Sequence, residues 1–206
     1  MGQDLLNVSD VHHAYGPRPV LRGIDLTLRP GTLVGIVGEN GAGKTTLLKI
    51  LAEELRPQRG RVRYGGRFGY CPQHLVLNDA LTVRQHLEYF RAAFGLGDLD
   101  HAEEIMDVLG LTSYSRERVS VLSGGTKQKL NLTLALMHDP VLLLLDEPYQ
   151  GFDWETYQRF WDMAARLRRR GRSVLIVSHL AYDAERLDEL RHLDGGLLHP
   201  ETPAPL

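Results

Sequence analysis

Cysteine occurs once in the 206 residues, at Cys71, so no disulfide can form within the chain. Nine scattered histidines around a single thiol also leave no structural zinc spacing. A reducing compartment is expected. Charge of one sign is lacking too: 24 Lys and Arg against 26 Asp and Glu give a formal net charge of -2. That balance supplies no overall positive field, so no nucleic-acid partner is expected. The longest aliphatic stretch, Val141 to Leu145, is far short of the roughly 20 residues that span a bilayer, and Met1-Gly2-Gln3-Asp4 lacks the basic-then-apolar profile of a signal peptide. Repeats and low-complexity tracts are absent, and the proline-bearing tail over 200–206 is expected to carry no chemistry. What remains is 43% hydrophobic and 24% charged, the make-up of a globular chain, with length for one domain over 1–206.

Short apolar runs alternate with amphipathic segments, the pattern of parallel strands joined by helices. Leu33 to Val37, Val141 to Leu145 and Val174 to Val177 are nearly continuous in Val, Ile and Leu, as strands covered on both faces must be. They are expected at the centre of the sheet. Leu5 to Tyr15, Val20 to Leu28 and Arg61 to Tyr70 alternate more and predict an N-terminal antiparallel sheet beside the parallel one. Thr82 to Phe94 reads as a helix with Val83, Leu87, Phe90 and Phe94 on one face and a capping box of Thr82 and Gln85. Asp100 and Glu103 repeat the box ahead of Ile105, Met106 and Leu109. Residues 74–125 are therefore expected to form a helical insertion in an α/β core.

Three motifs carry chemistry. Gly38-Glu39-Asn40-Gly41-Ala42-Gly43-Lys44-Thr45 fits G-x-x-x-x-G-K-[ST], directly after a predicted strand and before a predicted helix over Thr46 to Leu55. Its glycines let successive N–H groups turn inward, Lys44 can neutralise β- and γ-phosphate oxygens, and Thr45 can offer a hydroxyl to Mg²⁺. The strand Val141 to Leu145 ends in Asp146-Glu147. Paired acids at the tip of a buried strand answer to something positive or to a proton transfer. Asp146 is the expected Mg²⁺ contact. Glu147, pointing the other way by strand alternation, is the expected base for the attacking water. Together these motifs predict a P-loop NTPase. The third, Leu122-Ser123-Gly124-Gly125-Thr126-Lys127-Gln128, precedes the amphipathic segment Lys129 to Met137 and repeats the device of a small-residue loop feeding a helix N-terminus. It is a second anion site, with Ser123 and the Gly125 amide placed for a γ-phosphate; the competing reading is a glycine-rich loop with a serine N-cap.

This ordered set closely resembles the ATP-binding subunit of ABC transporters, from about Leu5 to Leu198. The resemblance implies an ABC ATPase fold with ATP and Mg²⁺ as ligands. It assigns nucleotide contacts to Tyr15, the loop from Gly38 through Thr46, and Ser123, Gly124 and Gly125. Tyr15 would stack on adenine, although alone it reads equally as a packing residue. Gln73 in Cys71-Pro72-Gln73 matches the glutamine that links Mg²⁺ and the attacking water to the helical subdomain, and alone is an ordinary turn residue. His179 matches the switch histidine at the γ-phosphate. Glu147, His179 and Gln73 would be catalytic, with Thr45, Gln73 and Asp146 around the metal. The implied assembly is a head-to-tail pair with ATP between the two chains. A separate membrane permease would dock beside Gln73 and the helical insertion, placing the chain at the inner face of the cell membrane.

Two departures from that family stand out. Thr126 replaces the usual glutamine after the paired glycines, as in bacterial export-type subunits, which favours export. Gln150, in Tyr149-Gln150-Gly151-Phe152-Asp153, replaces the usual serine or alanine, while Asp153 can still cap the next helix. Soluble ABC ATPases acting on ribosomes or DNA usually carry tandem cassettes or a long coiled-coil insertion, and neither is present. A non-hydrolysing regulatory cassette is opposed by the intact Glu147 and His179. Arg166, Arg168, Arg169, Arg170 and Arg172 read as cations complementing the dipole of a helix over Glu155 to Arg170 closed by Gly171, with Trp154, Tyr157, Phe160 and Trp161 as its packing residues.

Overall fold

The computed structural model describes residues 4–73, 77–179 and 184–200. The tail over 201–206 and the first residues of the expected insertion, 74–76, lie outside the described residues. Continuous apolar runs became the middle of the main sheet. β3 (Leu33–Val37), β6 (Leu142–Asp146) and β7 (Ser173–Val177) are buried at every position. The six-stranded order is β5-β6-β7-β3-β8-β9, parallel except for the final antiparallel pair. β1 (Leu6–Tyr15), β2 (Arg18–Leu28) and β4 (Arg59–Tyr64) form the antiparallel sheet. Leu6, Val8, Val11 and Ile24 of that sheet share one core with Val34 and Ile36 of β3 and with α1 (Lys44–Leu51).

The expected strand Arg61 to Tyr70 is two strands in different sheets. β4 edges the antiparallel sheet, while β5 (Phe68–Cys71) pairs in parallel with β6. Gly65 and Gly66 make the break: a Cβ at Gly65 would lie 2.5 Å from the Asp4 carbonyl oxygen and one at Gly66 2.6 Å from Val141 Cγ2. β8 (Glu189–Asp194) and β9 (Leu197–Pro200), for which the sequence offered no apolar run, form a hairpin. Its turn residues Gly195 and Gly196 have φ of 52° and 81°, the paired positive values that a tight hairpin turn needs. The first helix starts at Lys44 and ends at Leu51, short of the expected Leu55, because Glu53 turns left-handed at φ 61°.

Between β5 and β6 lie α2 (Val83–Phe94), α3 (Asp100–Val108) and α4 (Gly124–Leu136). The Thr82–Gln85 capping box is formed in both directions, at 3.1 and 2.9 Å. The second expected box is not. Asp100 is already helical, Leu99 is the N-cap without a side-chain bond, and Asp98 Oδ1 accepts from the Asp100 amide at 3.2 Å instead. α4 is not amphipathic, since Leu130 through Leu136 are all buried. It is wedged between the core, through Leu132, Ala135 and Leu136, and the helical cluster, through Leu130, Leu134 and Met137. α5 (Trp154–Arg169) is capped by Asp153, whose carboxylate accepts from the Thr156 amide at 2.8 Å. Phe160 and Trp161 are buried, but Trp154 is 74% exposed, stacked on Tyr157, and is not a core residue. Arg168 and Arg172 pair with Asp188 and Asp139. Among the described residues no helix is long and apolar enough to cross a membrane.

Candidate functional site

The carboxyl ends of β3, β6 and β7 converge on a cleft of about 540 Å³, the place where ligands of open α/β sheets bind. The loop leaving β3 is fixed by backbone geometry. Gly43 has φ 108° and a Cβ there would lie 2.8 Å from Val20 Cγ1; one at Gly38 would lie 2.4 Å from the Leu193 carbonyl oxygen. Gly43 is also the N-cap of α1 and makes no side-chain cap. The first amides of α1 are therefore free for an anion. Lys44 is buried, and its Nζ donates to the carbonyls of Gly38 at 2.6 Å and Glu39 at 2.9 Å. Burial lowers its pKa, opposed by the carboxylates of Glu147 and Asp146.

Asp146 closes β6, 2% exposed, with its Oδ2 unpartnered. Burial raises its pKa, while the hydrogen-bonding Thr45 hydroxyl pulls the other way. An orphaned carboxylate oxygen beside a hydroxyl suits a hard cation that keeps its remaining sites for phosphate oxygens and water. No group of three or more His, Cys, Asp or Glu forms an all-protein cage among the described residues. The donor set therefore fits Mg²⁺ carried in with a nucleotide.

Glu147 lies just past the strand with φ 49°, a left-handed conformation that costs a non-glycine residue of order 1–3 kcal/mol. Its amide still donates to the Val177 carbonyl at 2.9 Å. Strand alternation, expected to send Glu147 away from Asp146, stops at this residue, and both acids line the same cleft. Glu147 is 8% exposed. Gln73 Nε2 donates to its Oε2 at 3.1 Å, and His179 Nε2 contacts Oε1.

The cleft thus brings together Tyr15, Asn40, Gly41, Gly43, Lys44, Thr45, Thr46, Gln73, Asp146, Glu147 and His179. Gly38, Glu39 and Ala42 sit in the loop behind it. Tyr15 is half exposed, braced edge-on by His13 at 4.9 Å. Ser123, Gly124 and Gly125 do not line this cleft. Gly124 and Gly125 face a second cavity of about 370 Å³ with Gln73, Gln128, Asn131, Gln150 and Gly151. Ser123 caps α4: its Oγ accepts from the Thr126 amide at 3.2 Å and pairs with the Thr126 hydroxyl at 2.9 Å. Gly125 is required by a close approach within the chain, since a Cβ there would lie 2.2 Å from the Gly151 carbonyl oxygen. The loop bearing Gln150 thus packs directly on the Ser123 loop. Arg18 and Val20, which also line the main cleft, were not singled out from sequence; the turn at Gly16-Pro17 after Tyr15 was the available signal.

A family model described as "ABC transporter" matches residues 21–150. The daunorubicin resistance ATP-binding protein DrrA3 of Streptomyces coeruleorubidus is 33% identical, over 99% of this chain and 70% of its own length. The Nod factor export ATP-binding protein I of Paraburkholderia xenovorans is also 33% identical, over 91% of this chain and 66% of its own length. A solved ATP-binding subunit of an ABC transporter superposes with a TM-score of 0.87 at 26% identity, covering 94% of this chain and 88% of that one. The P-loop cleft and these matches agree, and the chain belongs to the ABC transporter family as an ATP-binding subunit.

Proposed function

We propose that the chain hydrolyses ATP as half of a head-to-tail pair of copies, and that closing and opening of this pair drives a separate permease, in the direction of export. The observation that carries this reading is the division of the phosphate-binding apparatus. Lys44, Thr45, Asp146, Glu147 and His179 face one cleft, while Ser123 and Gly125 belong to a helix N-terminus outside it. A second copy supplies the missing half. Export is supported by relatives whose names state resistance to daunorubicin and export of Nod factor.

In the closed pair the Gly38–Thr45 loop and Lys44 hold the triphosphate, and Tyr15 offers its exposed ring to the base. Thr45 and Asp146 would hold Mg²⁺ with Gln73 nearby, and the cation neutralises charge on the phosphate oxygens. Glu147 accepts a proton from the water that attacks the γ-phosphorus; the bond from that phosphorus to the bridging oxygen breaks, and ADP leaves. His179, beside Glu147, is placed to steady the transferred phosphoryl group. The helical segment past Gln73 passes closure to the permease, which holds the subunit at the inner membrane face.

Ser123→Arg tests the shared site, because it fills the second loop without touching the first cleft. ATP binding, followed by nucleotide titration, should stay near that of the unmodified chain while turnover falls by about 10²-fold or more. Unchanged turnover would remove Ser123 from the reaction.

A further inference from the structure

Two amides lie buried in α4, whose other buried residues are all Leu, Ala or Thr. Asn131 is 3% exposed and Gln128 9%, one turn apart on the same face of α4. An amide taken out of water without partners is costly, so its bonds show what holds it there. Asn131 Nδ2 donates to the Pro72 carbonyl at 2.7 Å and to Gln128 Oε1 at 3.4 Å. Gln128 Nε2 reaches the Glu147 carbonyl at 3.5 Å. Pro72 immediately precedes Gln73, whose amide donates to the Glu147 carboxylate at 3.1 Å. The bonds form a closed circuit: Asn131 to Pro72, along the chain to Gln73, across to Glu147, back through its own carbonyl to Gln128, and so to Asn131.

We propose that Asn131 and Gln128 are positioning residues that seat Gln73 against Glu147 and tie this pair to the helix that presents Ser123. The inference rests on the reading of Glu147 as base and Gln73 as its neighbour in the reaction. Neither amide borders the main cleft, and both border the second cavity, which Gln73 also lines. A movement of α4, which carries Ser123 at its N-terminus, therefore pulls on the peptide on either side of the carboxylate. The state of the loop offered to a second copy and the aim of the base in the same chain become one variable.

A mutant cycle tests this. Asn131→Leu keeps the branched heavy-atom skeleton and the helical character but takes the Nδ2 donor away from the Pro72 carbonyl. In the otherwise unmodified full chain it should lower ATP turnover by about 10-fold and leave the ATP concentration for half-maximal rate within about twofold. In a Gln73→Ala background, which by itself is impaired, the same substitution should change turnover by less than about twofold. Equal losses in both backgrounds would mean that Asn131 acts independently of Gln73 and would overturn the proposal. Normal turnover of Gln73→Ala alone would instead overturn the assignment of Gln73, and this inference with it. Thermal unfolding accompanies each variant, and Asn131→Ala, a better helix former, runs the same cycle if the leucine variant does not fold.

Discussion

Replacing Glu147 by glutamine lowers ATP turnover by roughly 10²- to 10⁴-fold while Mg-ATP still binds and dimers accumulate. The substitution keeps length and shape but removes the carboxylate proposed to take the proton of the attacking water. Gln73 and His179 hold the two oxygens, and the left-handed backbone turns them into the cleft beside Asp146. An amide at this position can still accept from Gln73, so the site is not dismantled. On the proposed head-to-tail pairing, the γ-phosphate between the copies then persists and the closed pair is expected to accumulate. Steady-state phosphate release and the mass of the particle in solution with Mg-ATP read both effects. Near-normal turnover would take Glu147 out of the role.

Lys44→Ala removes the cation from the cradle and weakens ATP binding by roughly 30-fold to several thousand-fold, the loss expected for one partner of a buried charge pair, about 2–5 kcal/mol. The Lys44 ammonium is held by the Gly38 and Glu39 carbonyls, which fix it within the loop. A triphosphate offers it charged oxygens where the loop offers neutral ones, and charge-assisted bonds are the stronger. Titration with ATP checks the effect. An unchanged affinity would contradict the cradle.

The cleft was legible because its chemistry is written in short spacings. A strand, six residues and Lys44-Thr45 leave little freedom, and β3, β6 and β7 are apolar enough to be placed without help. Chain geometry at single residues was not legible. Alternation along Leu142–Asp146 predicts the wrong side for Glu147, because a positive φ at a glutamate is a tertiary demand and not a propensity. Gly65-Gly66 ends one sheet and begins another, yet two glycines in a run read only as punctuation within it. β8, second from the edge, mixes Glu189, Arg191 and Asp194 with its leucines, and β9 is an edge strand of four residues, so neither carries a continuous apolar run. The burial of α4 is settled by two cores meeting on it, which its own periodicity cannot announce.

In the proposed assembly one triphosphate is gripped by two copies of this chain. A structure of the Glu147→Gln variant closed with Mg-ATP tests it most directly. Ser123 Oγ of one copy is expected within about 3 Å of a γ-phosphate oxygen whose β-phosphate rests on Lys44 of the other. Separate copies, each enclosing its nucleotide with Ser123 remote from phosphate, would contradict it.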